Sequence, residues 1–172
     1  AGDSPGRVLL IDLDQQTHGE ITLSGGFFRR HEEDRRLGPY DNIAGLLTMD
    51  TQRPAQEIIR TAGIPSNGAA NLDYIPSSKS RMANLEYALA GDPADGLYRL
   101  QDTLTPLAGH YEFCVIDNPP GLAYTSANSL VAADFVVCPI ELEAPAVEGL
   151  SDSLKTIQRI QRQNPRLVFL GV

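Results

Sequence analysis

Val8-Leu9-Leu10-Ile11-Asp12-Leu13-Asp14-Gln15-Gln16 is an apolar run that ends in carboxylates. Phe113-Cys114-Val115-Ile116-Asp117-Asn118-Pro119-Pro120-Gly121 repeats the arrangement later in the chain. A continuous apolar run closed by Asp is the pattern of a buried parallel strand that delivers a carboxylate to the ligand edge of an α/β sheet. Three more apolar runs, 72–76, 134–139 and 167–172, join 7–13 and 112–117 as expected strands. None of the five alternates, so helices are expected on both faces.

The stretches between the runs carry helix signals. Arg53-Pro54 is expected to open a helix that Gly63 closes. Ser80 is a candidate cap for Arg81 to Ala90, which Gly91-Asp92-Pro93 stops, and Asp95 for a helix through Leu107. Residues 122–133 and a long segment from Pro145 to near Gln163 complete the set. Strands alternating with helices give an α/β, doubly wound, mostly parallel sheet. The segment 24–38, with Arg29-Arg30-His31-Glu32-Glu33-Asp34-Arg35-Arg36, reads as a solvated, mobile charged loop or short surface helix, with partner docking as the other reading.

A chain of 172 residues is expected to form one domain, 1–172. Fourteen Lys and Arg against 22 Asp and Glu give a net charge of −8, which argues against a broad basic face for nucleic acid on this stretch. No apolar run reaches membrane-spanning length and no signal peptide opens the chain, so a cytoplasmic location is expected. Cys114 and Cys138 lie inside apolar runs and read as buried, reduced thiols. The chain starts at Ala1 and stops at Val172 within an apolar run, and both ends read as truncated.

The chemistry implied by the two acid-tipped strands is a magnesium–nucleotide site. Asp117 can hold Mg2+ through water and so orient terminal phosphates; a simple turn cap is the alternative. Pro119 and Pro120 stiffen the exit from the strand, and Gly121 permits close approach of a ligand. Asp12 and Asp14 share a strand face by alternation. One suits the water shell of the metal and the other suits positioning or deprotonating an attacking water. Turn and cap roles are their alternatives. Yet no G-x-x-x-x-G-K-[ST] loop occurs, and the two lysines, Lys79 and Lys155, do not follow glycine.

Val8 to Gln16 resembles the V-L-L-I-D-x-D-P-Q stretch of the ParA/Soj partitioning ATPases, a deviant Walker A group of the ParA/MinD superfamily. Tyr111 to Gly121 is similar to their Y-D-x-x-x-I-D-x-P-P segment. Thr125 to Asn128 with Ala132-Ala133-Asp134 resembles T-x-x-N-x-L-x-A-A-D, and Pro139, Glu143, Glu148, Gly149 and Leu150 resemble the P-x-x-x-E and E-G-L that follow. Leu72 to Ser77 is similar to L-x-x-I-P-S, and Phe169 to Val172 to the strand before the adenine-contacting loop.

The resemblance implies a SIMIBI-type P-loop NTPase fold that lacks its first strand, with ATP and Mg2+ as cofactors. It places Asp14 at the switch I aspartate implicated in hydrolysis and Asp12 before it, in the outer shell of the metal. It places Asp117 at the Walker B aspartate, and Gln16, Pro119, Pro120 and Gly121 against the nucleotide. It puts Glu143 to Gly149 near an ATP-dependent homodimer interface. It further implies a ParB-like activator, non-specific DNA binding through regions beyond this stretch, a nucleoid-associated location and no membrane.

Gln15, Thr17 and His18 depart from the family pattern, which leaves the conformation of switch I open; His18 reads as a surface histidine or a phosphate neighbour. With the P-loop strand lacking, the runs 112–117 and 134–139 are expected to present facing unpaired edges, an aggregation hazard, and this stretch alone is expected not to bind ATP tightly. A MinD-like or cellulose-synthesis-associated ATPase at a membrane, and a non-catalytic ParA-like interaction module, are the competing readings. A receiver-type phosphoacceptor fits poorly, because Lys155 falls within a helix rather than at a late strand end.

Overall fold

The computed structural model describes residues 6–14, 37–62, 71–119, 121, 123–140 and 144–172. Among these the elements run β1 (Val8–Asp12), α1 (Ile43–Thr48), α2 (Ala55–Ile58), β2 (Arg60–Thr61), β3 (Leu72–Ile75), α3 (Lys79–Ala90) and α4 (Arg99–Leu104). A 3-10 turn over Thr105–Leu107 leads on to β4 (Phe113–Asp117), α5 (Tyr124–Ala132), β5 (Phe135–Val137), α6 (Ala144–Ile160) and β6 (Val168–Gly171).

All five expected strands are present, and β1 sits inside the sheet between β3 and β4, parallel to both. Leu9 and Ile11 are fully buried on β1, and they pack with Leu13, Ile43, Leu47, Ile75, Met82, Leu85 and Leu100 into one core. A second core gathers Leu130, Val131, Ile157, Ile160 and Leu167 under β5 and β6. Each cluster buries apolar side chains that stabilise by about 1.5–3 kcal/mol apiece.

The sheet is interrupted. The described strands form one set in the order β2-β3-β1-β4 and a second of β5-β6. β4 and β5 do not pair, as the lack of a P-loop strand led one to expect. The expectation that helices cover both faces of every strand fails here. Phe113 and Val115 of β4 are 62% and 50% exposed, and Phe135 and Val137 of β5 are 62% and 59% exposed. Cys114 is exposed and Cys138 half-buried, which corrects the reading of both thiols as buried: an apolar strand buries its side chains only when the next layer and the next strand are in place.

Helix ends differ from expectation for identifiable reasons. α1 was not anticipated, although its signal is plain afterwards: Asn42 caps it by accepting from the Gly45 amide at 3.1 Å, and Met49 closes it at φ 62°. The helix after Pro54 stops at Ile58, because Arg60 and Thr61 turn outward to pair antiparallel with Tyr74 and Asp73. α3 starts at Lys79, with Ser78 rather than Ser80 at its cap position. α4 begins at Arg99, beyond Asp95, and its second amide is capped from another helix, as described below. α6 ends at Ile160, short of Gln163. Most of the charged loop 24–38 lies outside the described residues, as do Gln15, Gln16, Thr17, His18, Pro120 and Glu143, and the side chain of Glu148.

Candidate functional site

β1 and β4 run in register so that Asp12 lies directly across from Asp117 at the carboxyl end of the pair. The Leu13 amide donates to the Asp117 carbonyl at 2.9 Å, carrying the ladder one step further. The Asp14 amide then donates to Asp12 Oδ1 at 2.9 Å. This Asx turn ends the strand. Asp12 is therefore buried at 3% exposure with one carboxylate oxygen engaged, Asp14 is half-buried at the tip, and Asp117 is exposed on the edge strand.

Three carboxylates thus meet at one sheet end. The Asp117 carboxyl is held above its ordinary value, by desolvation first and then by repulsion from Asp12 and Asp14. A cation would relieve that repulsion. Among the described residues no cluster of three or more His, Cys, Asp or Glu is arranged to cage a metal. Hard oxygens from one or two carboxylates, with the remaining positions left to water and phosphate, fit Mg2+ and not a closed structural metal site.

The segment leaving β4 is fixed from its far side. Ser129 Oγ of α5 donates to Asn118 Oδ1 at 2.5 Å, and Ser126 Oγ donates to the Gly121 carbonyl at 3.1 Å. Gly121 adopts φ +105°, a conformation that side chains rarely accept. Pro119 is half-buried beside them. α5 has no cap from its own Ala123; instead Glu86 of α3 accepts from the Tyr124 amide, from the Thr125 amide at 3.1 Å and from Thr125 Oγ1 at 3.2 Å. A carboxylate there satisfies orphan amides and complements the helix dipole.

Asn128 is fully buried and joins two helices. Its Oδ1 accepts from the Leu100 amide of α4 at 3.1 Å, and its Nδ2 donates to the Gly96 carbonyl at 2.7 Å and the Tyr124 carbonyl at 3.3 Å. At the opposite end of the sheet, buried Asp73 of β3 pairs with Arg7 and accepts from Thr61 Oγ1 at 2.8 Å and Tyr111 OH at 2.9 Å. Glu86, Asn118 and Asp73 escaped sequence reasoning because nothing local marks them; each gains its role from a partner 11 or more residues away.

Residues 3–169 match the AAA_31 family, described as an AAA domain. The chain belongs to the ParA-type branch of the ParA/MinD superfamily. It is 34% identical over 169 residues to the chromosome partitioning protein ParA of Caulobacter vibrioides, covering 96% of this chain and 57% of that protein. It is 32% identical over 167 residues to the sporulation initiation inhibitor protein Soj of Bacillus subtilis, covering 96% of this chain and 59% of that protein. Among solved structures it is similar to cobyrinic acid a,c-diamide synthase of Mycobacterium smegmatis with bound ATP analogue and magnesium. That match has a TM-score of 0.77 and 26% identity over 98% of this chain and 62% of that one. The ParA-type chain thus spans a little over half the length of the curated relatives it matches.

Within this ParA-type fold, the T-x-x-N stretch is explained by packing: Thr125 and Asn128 hold α5 to α3 and α4. Asp12, Asp14 and Asp117 are brought together. Gln16 and Pro120 lie outside the described residues.

Proposed function

We propose that this chain is the carboxylate-bearing part of an ATP-hydrolysing partition protein that dimerises with ATP and is stimulated by a ParB-like partner. The supporting observation is the in-register pair Asp12 and Asp117, with Asp14 half-buried one turn beyond. Asp117 would hold Mg2+ through water and Asp12 would support its outer shell; the ion supplies charge neutralisation at the phosphates. Asp14, at the tip of the turn, orients the attacking water and accepts its proton. Gln16, Pro119, Pro120 and Gly121 line the nucleotide, with Gly121 leaving open space where a Cβ would stand. DNA contact would come from elsewhere, since the net charge here is −8. The location would be cytoplasmic and nucleoid-associated. Among the described residues no helix is long and apolar enough to cross a membrane, and membrane recruitment by a MinD-like route has no supporting feature on this stretch.

The test is Mg2+-dependent ATP hydrolysis by the full polypeptide that contains residues 1–172. Asp14→Ala should lower turnover by about 100-fold or more while ATP-dependent dimerisation persists. Asp117→Ala should lower turnover and raise the Mg2+ concentration that half-maximal turnover requires. Wild-type turnover in Asp14→Ala would refute the assignment, as would a full reading frame that lacks a lysine-bearing glycine-rich phosphate loop.

A further inference from the structure

Among the described residues Met49 is the one non-glycine at positive φ, 62°. It closes α1, where glycine or asparagine is the usual choice because a Cβ is strained there. Its amide donates to the Leu46 carbonyl at 3.3 Å, a task that does not call for a thioether. The side chain is instead set against α4. Sδ accepts from Arg99 Nη1, while Arg99 Nη2 is paired with Asp92. The guanidinium is thus held in place by a carboxylate, on a side chain only 22% exposed, with one nitrogen turned on a sulfur. The chain has two methionines: Met49 is 62% exposed, and Met82 in the first core is 2% exposed.

A thioether is a weak acceptor, so a fixed guanidinium gains little from it. A sulfoxide oxygen is a strong acceptor, and a hydrogen bond from a charged donor is about twice as strong as a neutral one. We propose that Met49 is an oxidation site whose sulfoxide is captured by Arg99, so that peroxide tightens the tie between α1 and α4. The step is a two-electron oxygen transfer. One oxygen of hydrogen peroxide moves to Sδ, the O–O bond breaks, and the other oxygen leaves as water. A methionine sulfoxide ordinarily damages a fold by carrying a polar group into a core or an apolar interface. At Met49 the sulfur lies at the surface and meets a donor already pinned by Asp92, so the sign is reversed. Met82 has neither the exposure nor the position and serves as the internal reference. This site stands on the α1–α4 contact and does not depend on the ATPase reading.

The experiment treats the full polypeptide that contains residues 1–172 with hydrogen peroxide, then with a thiol reductant to restore the cysteines. Peptide mass spectrometry follows sulfoxide at Met49 and Met82. Met49 should convert at least about tenfold faster than Met82. The oxidised protein should melt about 2 °C higher than the reduced one, and methionine sulfoxide reductase should reverse the rise. Met49→Leu should show no rise on peroxide treatment, and Arg99→Leu should convert at Met49 yet gain nothing. Met49→Gln sets a neutral side-chain oxygen at similar reach, so it should raise the melting temperature without peroxide, and Arg99→Leu in the same chain should cancel that rise. Met82 converting as fast as Met49, an oxidised protein that melts no higher than the reduced one, or an equal rise in Met49→Leu or Arg99→Leu would each overturn the proposal. These readouts involve no nucleotide, so failure here and failure of the hydrolysis test are separable.

Discussion

Replacing Asn128 by alanine should cost the fold about 3 kcal/mol. The side chain is fully buried, and its two strongest partners are backbone groups that cannot move to water: the Leu100 amide at 3.1 Å and the Gly96 carbonyl at 2.7 Å. Each becomes an unsatisfied buried polar group worth about 1–3 kcal/mol. The Tyr124 carbonyl at 3.3 Å lies within the same helix and adds little. Asn128→Asp is a sharper probe. It keeps an acceptor for Leu100 but removes both N–H donors and sets a carboxylate against the Gly96 carbonyl, so it should be at least as damaging as alanine. Urea unfolding followed by far-UV circular dichroism reads the difference. With a slope of about 2 kcal/mol/M, the midpoint should fall by about 1.5 M. A fall below about 0.3 M, or an aspartate variant milder than the alanine variant, would refute the claim that this residue acts by joining α4 to α5.

Glu86→Ala should destabilise by about 2 kcal/mol, since it strips a carboxylate from two α5 amides and a hydroxyl; Thr125→Ala, which leaves the amide bonds intact, should cost less than half as much by the same urea assay. The Tyr111 hydroxyl is pushed up to about 12 by burial and by its bond to Asp73, so its contribution is intact below pH 10 and lost as pH rises toward 12. Tyr111→Phe should lower stability by about 1 kcal/mol at neutral pH and remove that alkaline decline, measured by thermal unfolding across the pH series. Asp117 carries the opposite sign: its carboxyl is raised in the fold above 3.8, so ionisation costs stability as pH climbs out of the acid range. Asp117→Asn should therefore raise the melting temperature at pH 7, give no gain below pH 3.5, and abolish stabilisation by millimolar Mg2+.

The acid-tipped runs were legible because strand burial and strand-end chemistry are local: Val8 to Asp14 and Phe113 to Asp117 each state their own period and their own terminus. The register that sets Asp12 across from Asp117 is not local, since it depends on which strands become neighbours. Helix ends were misread where tertiary partners override local caps. Asp95 looks like a cap, yet Asn128 from α5 performs the task for α4, and β2 ends α2 early because Thr61 is drawn to Asp73. The apolar character of β4 and β5 was read correctly but taken as evidence of burial. In the fold Phe113, Val115, Phe135 and Val137 are exposed, and hydropathy alone does not distinguish such a strand from one in a finished core.

The two sheets and the carboxylate site share one support. α5 is held at its start by Glu86, in its middle by Asn128, and at its end by Asn164, whose Nδ2 donates to the Leu130 and Ala133 carbonyls at 3.0 and 2.7 Å. Ala132 packs against the first core while Leu130 and Val131 belong to the second, so this one helix sets the spacing of the two sheets. Through Ser129 and Ser126 the same helix also fixes Asn118 and Gly121, the residues that leave Asp117. The hydrogen bonds that hold the residues after Asp117 therefore originate on the same helix that packs against both cores.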